Sequence, residues 1–183
     1  YLTINVSSPN TPGLRALQSA EALRALIGGV MGALAGPKPV FLKVAPDLEH
    51  GEIDAIARVA IEGGVSALIV ANTTVSRPPL RSRHAGESGG LSGAPLAALA
   101  LETLRAFRAA TGRALPLVAA GGIGSADDAY ARIRAGASLV QLYSALVYEG
   151  PGLARGIARG LVERLRRDGF HRVADAVGME SPA

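Results

Sequence analysis

The sequence lacks several residue types on which protein chemistry often depends. None of its 183 residues is Cys, which excludes disulfides, thiolate metal sites and a Cys nucleophile. No apolar run reaches the roughly 18 residues that a membrane-spanning helix needs. The histidines, His50, His84 and His171, follow no metal-ligand spacing, so no metal site is predicted. Aromatic residues are few and none is interleaved with a basic cluster, which argues against nucleic-acid binding.

Basic residues outnumber acidic ones, and the formal net charge is +4. Many of the arginines that supply this charge lie late in the chain, at Arg155, Arg159, Arg164, Arg166, Arg167 and Arg172. A basic surface of this kind can attract phosphates or anionic lipid. Because arginine is normally exposed, we expect these residues to form the solvated face of a helix, with membrane docking as the alternative.

Apolar, strand-like runs alternate with segments of helical periodicity along the chain. The strand-like runs are 1–6, 39–44, 67–71, 115–120 and 138–143, and the helical patterns are 20–34, 52–62, 95–111, 125–134 and 151–167. This alternation predicts βαβ units around a parallel sheet in a single α/β domain. A closed (β/α)8 barrel needs eight units, so the five found here cannot close one alone.

The segment after the first strand-like run is unusually polar. Residues 5–15 read Asn-Val-Ser-Ser-Pro-Asn-Thr-Pro-Gly-Leu-Arg and follow the carboxyl end of that strand. Enzymes built from βα units place their chemistry at this end. Two amides around a hydroxyl could hold a flat, polar substrate against a proton acceptor. Each residue also suits an ordinary strand-to-helix turn, so that alternative stays open.

Further charged and polar residues follow the next strands. Lys43 lies in an apolar strand segment, where burial disfavours an ammonium group unless an anion is near. We therefore favour a positive charge directed at a ligand over an edge-strand lysine whose head reaches water. Asn72 and Thr73 follow the third strand. Together with Asn5 and Asn10 they predict a ring of polar groups suited to an imide-like ring.

Glycine-rich turns follow later strands and close a long loop. A Gly-Gly turn at 121–122 precedes the fourth helix, and Tyr143 and Ser144 follow the last strand. A phosphate site made by the last two βα loops recurs in (β/α)8 barrels, although one Gly-Gly turn is weak evidence. Residues 73–92 show little periodicity and end in a glycine-rich stretch. We predict that this 73–92 loop is a lid or wraps a ligand, with a surface excursion as the alternative.

Six motifs occur in order along the chain: Asn5 to Arg15, Lys43 to Asp47, Ala71 to Thr74, Gly89 to Gly93, Ala120 to Ile123 and Gln141 to Ser144. Together they resemble dihydroorotate dehydrogenase, and specifically its class 2, quinone-dependent branch. The resemblance extends over essentially the whole chain, including residues 170–178. It implies an FMN-binding α/β fold of the (β/α)8 TIM-barrel type, with about the last five βα units in this chain.

The resemblance also implies roles for single residues. Ser8 corresponds to the family's general base, which takes the C5 proton of dihydroorotate while C6 gives hydride to flavin N5, and Thr11 could assist. The soluble class 1 branch has Cys at this position. Lys43 resembles the lysine beside the flavin's N1/O2 edge, where negative charge grows on reduction. The implied substrate ligands are Asn5, Asn10, Asn72 and Thr73. The implied cofactor ligands are Asn5, Lys43, Ala71, Gly93, Gly122, Tyr143 and Ser144.

The implied function is oxidation of (S)-dihydroorotate to orotate in de novo pyrimidine (UMP) biosynthesis, with FMN as cofactor and ubiquinone or menaquinone as electron acceptor. In this branch an N-terminal helical pair, which forms the quinone tunnel and membrane face, and three barrel strands come first. Neither is found here, and the sequence does not begin with Met. We therefore expect residues 1–183 to be the carboxyl-terminal portion of one barrel domain, inactive alone. The expected location is the periphery of the cytoplasmic face of a bacterial inner membrane, or otherwise the mitochondrial inner membrane.

Two other interpretations stay open. Another FMN- or phosphate-binding barrel enzyme would explain the glycine turns and Lys43, but not the ring of amides or Ser8. Alternatively, the chain is a non-enzymatic structural or interaction module. Five units would leave an apolar sheet edge exposed, which favours aggregation or a partner.

Overall fold

The structure is a computed structural model and describes residues 1–180. It contains a five-stranded sheet in the order β1-β2-β3-β4-β5, and all neighbouring strands are parallel. The strands are Leu2–Asn5 (β1), Val40–Val44 (β2), Ala67–Val70 (β3), Leu117–Ala120 (β4) and Ala137–Gln141 (β5). Consecutive order with a helix between neighbouring strands is the topology of a (β/α) barrel. The predicted α/β fold with five βα units is confirmed.

All five helical patterns correspond to helices, and shorter elements accompany them. The helices are Ala20–Gly32 (α1), His50–Glu62 (α2), Ala97–Thr111 (α3), Ala126–Arg134 (α4), Ser144–Glu149 (α5), Gly152–Arg167 (α6) and Val173–Ala176 (α7), with 3-10 turns at Leu14–Gln18 and Ala94–Leu96. The sequence did not predict α5, α7 or the first 3-10 turn, because such short elements show no periodicity. Ser19 is the N-cap residue of α1, but its side chain makes no capping hydrogen bond.

The two faces of the sheet are filled to different extents. One face packs under the helices and forms the main core with Leu42, Leu68, Leu117, Leu23 and Phe107 among its fully buried side chains. The other face, which is the interior of a (β/α) barrel, carries only a small cluster. That cluster consists of Ala67, Ile69, Val118 and Ala120, with Phe41 packed against it. Much of the interior face is therefore not covered by the described part of the chain.

The edges of the sheet are open but not far apart. Among residues 1–180, β1 pairs only with β2, and β5 pairs only with β4. Tyr1, just before β1, stacks on Phe41 with ring centroids 4.3 Å apart. The Tyr1 hydroxyl also accepts a hydrogen bond from Nε2 of Gln141, at the end of β5, at 3.4 Å. Leu139 on β5 is 58% exposed, in agreement with the apolar edge expected from a five-unit count.

The late arginines lie mostly on the outer face of α6. Ile157, Gly160 and Leu165 form the buried side of this helix. Arg155, Arg159, Arg166, Arg167 and Arg172 are exposed, whereas Arg164 is partly covered and pairs with Asp127. This arrangement confirms the solvated helix face. Within the described residues no helix combines the length and the apolar character that crossing a membrane requires.

The segment after α6 is held against α4 by a polar cluster. The guanidinium of Arg134 donates from Nε to the Met179 carbonyl at 2.7 Å and lies 5.4 Å from the centre of the Phe170 ring. The Tyr130 hydroxyl donates to Asp168 at 2.7 Å, and Arg134 pairs with the same carboxylate at 3.3 Å. Residues far apart in sequence thereby fix the carboxyl-terminal segment to the fold.

Acid should weaken this attachment within a defined pH range. Hydrogen bonds from Arg167 and Tyr130 lower the pKa of Asp168 from 3.8 to about 2. Because the folded-state pKa is the lower one, the carboxylate stabilises the fold above roughly pH 4, and this contribution is lost as the pH falls toward about 2. We expect the difference in unfolding free energy between the native protein and Asp168→Asn to be constant near neutral pH and to shrink across that range.

Urea unfolding at a series of pH values measures this difference. Asp54→Asn, which removes an exposed carboxylate on α2, is the matched control. A difference for Asp168→Asn that does not change between pH 5 and pH 2 would contradict the assignment.

Candidate active site

The loops at the carboxyl ends of the strands surround a cavity of about 860 Å³. Its lining includes most of the residues predicted to bind ligands: Lys43, Ala71, Asn72, Thr73, Gly93, Gly122, Tyr143 and Ser144. Asn5, the last residue of β1, and Ser8, Asn10 and Thr11, on the loop after β1, do not line this cavity. Within residues 1–180, no group of three or more acidic or histidine side chains could hold a metal ion.

A hydrogen-bonded chain joins the loops after β1 and β3. Asn72 Nδ2 donates to Ser7 Oγ at 2.8 Å, and Ser7 Oγ donates to Asn5 Oδ1 at 2.7 Å. Asn72 Oδ1 accepts from the backbone N–H of Thr73 at 2.8 Å. Both carboxamide oxygens are thus used inside the protein, which fixes the direction in which each amide nitrogen points. Ser7 is fully buried at the centre of this hydrogen-bonded chain. No role is assigned to Ser7 from the sequence, because nothing local distinguishes it from Ser8.

Ser8 is half-buried at the bend of the loop after β1. Its Oγ accepts a hydrogen bond from the backbone N–H of Asn10 at 3.3 Å. Asn10 Oδ1 in turn accepts from the backbone N–H of Gly90 at 3.2 Å, which connects this loop to the 73–92 loop. Thr11 is exposed. No His or carboxylate among the described residues hydrogen-bonds to Ser8, so its hydroxyl has no conventional activating base.

Lys43 projects from an inner strand into the cavity. The strand register places it opposite Asn5 on β1 and Ile69 on β3, so the edge-strand interpretation is wrong. Burial lowers the pKa of Lys43, and no carboxylate within residues 1–180 forms an ion pair with it. A half-buried ammonium without a protein anion favours a ligand that brings negative charge to this wall of the cavity.

The glycine turn after β4 is packed too tightly for any side chain. Gly122 has a φ of +69°, and a Cβ there would lie 2.4 Å from Cα of Ala97. Ser125 caps α4 by accepting from the Asp128 backbone N–H at 3.1 Å. The Asp128 carboxylate accepts from the backbone N–H of Gly124 at 3.1 Å. Because its own side chains satisfy these amides, the start of α4 is a poorer anion site than the sequence suggested.

A buried arginine provides positive charge beneath the same turn. Arg132 is 3% exposed and donates to the carbonyls of Ala97 at 2.7 Å and Gly121 at 3.2 Å. Burial lowers the pKa of Arg132, and the charge of Asp128 offsets part of this effect. Its Nε has no hydrogen-bond partner among the described residues. Lys43 lines the cavity and Arg132 lies beneath its glycine turn, and together these two charges make the cavity suited to an anionic ligand.

The 73–92 loop is closed at its base. Thr74 and Leu91 exchange two backbone hydrogen bonds, at 3.0 and 2.8 Å. Within the loop, Arg77 donates to the carbonyls of Glu87 at 2.9 Å and Gly89 at 2.6 Å. These contacts order the loop internally, and its first and last residues, Thr73 and Ser92, line the cavity, which favours the lid interpretation over a surface excursion.

Comparison with known proteins agrees with the motifs. A family model described as dihydroorotate dehydrogenase matches residues 1–165. The dihydroorotate dehydrogenase (quinone) of Sphingopyxis alaskensis is 67% identical over 180 residues, which are 97% of this chain and 51% of the relative. That of Erythrobacter litoralis is 64% identical over 182 residues, 98% of this chain and 53% of the relative. The chain spans about half the length of these curated relatives.

Solved structures give the same result. DHODH of Eimeria tenella in complex with ferulenol matches with a TM-score of 0.93 and 39% identity, covering 100% of this chain and 55% of that one. The ligand-free form matches with a TM-score of 0.94 and 40% identity, covering 100% and 56%. The resemblance predicted from the six motifs is confirmed.

Gly90 is where the 73–92 loop approaches the loop after β1, and a side chain there should separate them. A Cβ would lie 2.0 Å from Thr73 Oγ1 and 3.0 Å from Pro9 Cγ. Overpacking typically costs about 1–3 kcal/mol, so Gly90→Ala should raise the open population of the loop about fivefold or more. Trypsin cleavage after the exposed residues Arg81 and Arg83 follows that population.

Gly86→Ala is the control, because a Cβ at Gly86 meets no atom within 4 Å. Equal cleavage rates for the two variants would show that the close approach of the loops does not hold the lid.

Proposed function

The chain belongs to the dihydroorotate dehydrogenase family, and from this premise we propose that the full-length protein oxidises (S)-dihydroorotate to orotate, with FMN as cofactor and a quinone as electron acceptor. We propose further that residues 1–183 form the carboxyl-terminal portion of one FMN-binding (β/α)8 barrel domain and that the enzyme serves de novo pyrimidine biosynthesis. A peripheral location at a bacterial inner membrane, reached through sequence outside residues 1–183, belongs to the same proposal.

The chain of hydrogen bonds from Asn72 through Ser7 to Asn5 carries this proposal. It fixes the carboxamides of Asn5 and Asn72 on the side chain of Ser7, the residue before Ser8, and Asn72 lines the cavity together with Lys43. Dihydroorotate is a ring of alternating N–H donors and carbonyl acceptors with one carboxylate. Amide groups with fixed direction can bind both the donors and the acceptors of such a ring, and Asn10 and Thr73 extend the set.

The residues of the cavity also fit the proposed cofactor. FMN combines a flat ring with a phosphate, and a cavity of about 860 Å³ lies within the range of roughly 300–1,000 Å³ usual for small-molecule sites. Lys43 would lie beside the ring, and Tyr143 and Ser144 near the phosphate, with the buried charge of Arg132 favouring the anion. Ala71, Gly93 and Gly122 would give backbone contacts. Asn5 lies outside the cavity lining, and its contact with FMN stays a prediction.

In the proposed reaction Ser8 Oγ takes the C5 proton of the substrate and gives its own hydroxyl proton to Thr11 or water. The backbone N–H of Asn10 donates to this oxygen and would stabilise the alkoxide character that it gains as its own proton leaves. Bound FMN would accept the hydride released from C6. The ordinary pKa of a serine hydroxyl is far from neutral, and proton transfer is efficient only when pKa values match. Thr11, three residues further on and exposed to water, is suited to pass the proton on.

Substitution of Ser8 should slow the reduction of the flavin. A positioned general base contributes about 10²- to 10⁴-fold to a rate, so we expect Ser8→Ala in the full-length protein to slow flavin reduction by dihydroorotate within that range. Anaerobic stopped-flow absorbance of the flavin measures the rate. Ser19→Ala, which removes an exposed hydroxyl that makes no capping bond, should be neutral. Unchanged reduction in Ser8→Ala would remove the base assignment.

Residues 1–183 alone should bind FMN weakly and show no turnover. Two sheet edges are unpaired within the described residues, and the interior face is only partly covered, so one side of the site would be open to water. Flavin fluorescence on titration with the chain, followed by addition of dihydroorotate and a soluble quinone, tests this expectation. Tight flavin binding with turnover would contradict it and would assign the complete activity to this segment.

A further inference from the structure

Arg15, at the end of the loop that carries Ser8, contacts three segments of the chain at once. Its Nε donates to the carbonyl of Ser7 at 3.0 Å, and one terminal nitrogen donates to the carbonyl of Thr73 at 2.9 Å. The other terminal nitrogen pairs with Asp47 Oδ2 at 2.9 Å. The Arg15 side chain is 23% exposed and that of Asp47 14%, so the pair is largely withdrawn from water.

Asp47 follows β2 and binds the start of the 73–92 loop. It accepts hydrogen bonds from the Thr74 hydroxyl, from the backbone N–H of Val75 at 3.2 Å and from the Ser76 hydroxyl at 3.1 Å. Burial alone would raise the pKa of Asp47, but these donors and Arg15 outweigh burial and lower the pKa. The carboxylate is therefore ionised at neutral pH and is fully used by protein donors.

The pair connects three loops without lining the cavity. The Ser7 carbonyl belongs to the peptide bond that precedes Ser8, and the Thr73 carbonyl begins the 73–92 loop. One rigid guanidinium, that of Arg15, therefore holds both the backbone next to Ser8 and the first residue of the 73–92 loop. Neither Arg15 nor Asp47 lines the cavity, so any effect on the reaction acts through the residues that they hold.

We propose that Arg15 and Asp47 form a positioning pair that couples the 73–92 loop to Ser8, so that closure of the lid and alignment of the base occur together. This inference rests on the proposed function. A lysine cannot replace Arg15, because a single ammonium lacks the planar fork that reaches three acceptors in fixed directions. A misplacement of about 1 Å in a catalytic group can cost roughly 100-fold in rate.

The test uses Arg15→Lys and Asp47→Asn in the FMN-loaded, full-length protein. We expect flavin reduction by dihydroorotate to slow by about 10- to 100-fold while the bound flavin is retained. The kinetic isotope effect of C5-deuterated dihydroorotate should rise, because proton transfer to Ser8 becomes the slower event. Trypsin cleavage after Arg81 and Arg83 should accelerate in the same variants. Arg24→Lys is the control, because Arg24 pairs with Glu62 at an exposed position far from these loops.

Coupling has a signature that general destabilisation lacks. The double variant should be no slower than the slower single variant, since both substitutions break one unit. If Arg15→Lys or Asp47→Asn does not retain FMN, Thr74→Val is used in its place. This substitution removes one hydrogen-bond donor to Asp47 with little change of volume. It should slow flavin reduction and accelerate trypsin cleavage, as expected for the charge substitutions.

Rates and cleavage within twofold of the native protein in the FMN-retaining variants would overturn the coupling. Failure of the native protein to reduce its flavin with dihydroorotate would instead overturn the proposed function, and unchanged lid cleavage in the variants would still refute the coupling.

Discussion

The parallel alignment of the five strands is the constraint on which the site depends. Parallel hydrogen bonding turns every carboxyl end toward the same side, so loops separated by tens of residues open onto one mouth. The strand register also determines which residues are neighbours at this end, since it places Asn5 beside Lys43 and Lys43 beside Ile69. Helices cover the outer face and form the main core there, whereas the cavity lies at the carboxyl ends of the strands. Stability and chemistry thus depend on different parts of the same sheet.

The cations near the cavity fall into two groups, those without and those with a carboxylate partner. The two cations that face or underlie the cavity, Lys43 and Arg132, form no ion pair with a carboxylate among the described residues. By contrast, Arg15 is paired with a carboxylate and holds loops together. A buried cation without a protein anion is costly unless a ligand supplies one, whereas a paired cation with several acceptors is a structural connection. Pairing therefore distinguishes the residues suited to binding from those suited to support.

The sheet, the long helices and most residues of the cavity could be predicted from the sequence, because they depend on local periodicity or on motifs at strand ends. The sequence was insufficient where a role depends on contacts between distant loops. Asp47 had no apparent partner in the sequence, and its partner is Arg15, 32 residues away. Ser7 contacts Asn72 across 65 residues. The helical pattern at 125–134 predicts α4, but the use of its first turn by Asp128 depends on a side-chain conformation that no pattern encodes.

The closed base of the 73–92 loop determines how the loop can move. With Thr74 and Leu91 bridged and Arg77 bonded to two carbonyls across the loop, its interior is already ordered before any ligand arrives. Motion is then that of a hinged flap about the bridge, with few backbone dihedral angles changing. Closing such a flap loses little conformational entropy compared with ordering a free segment of the same length. More of the contact energy between loop and ligand is therefore expressed as binding affinity.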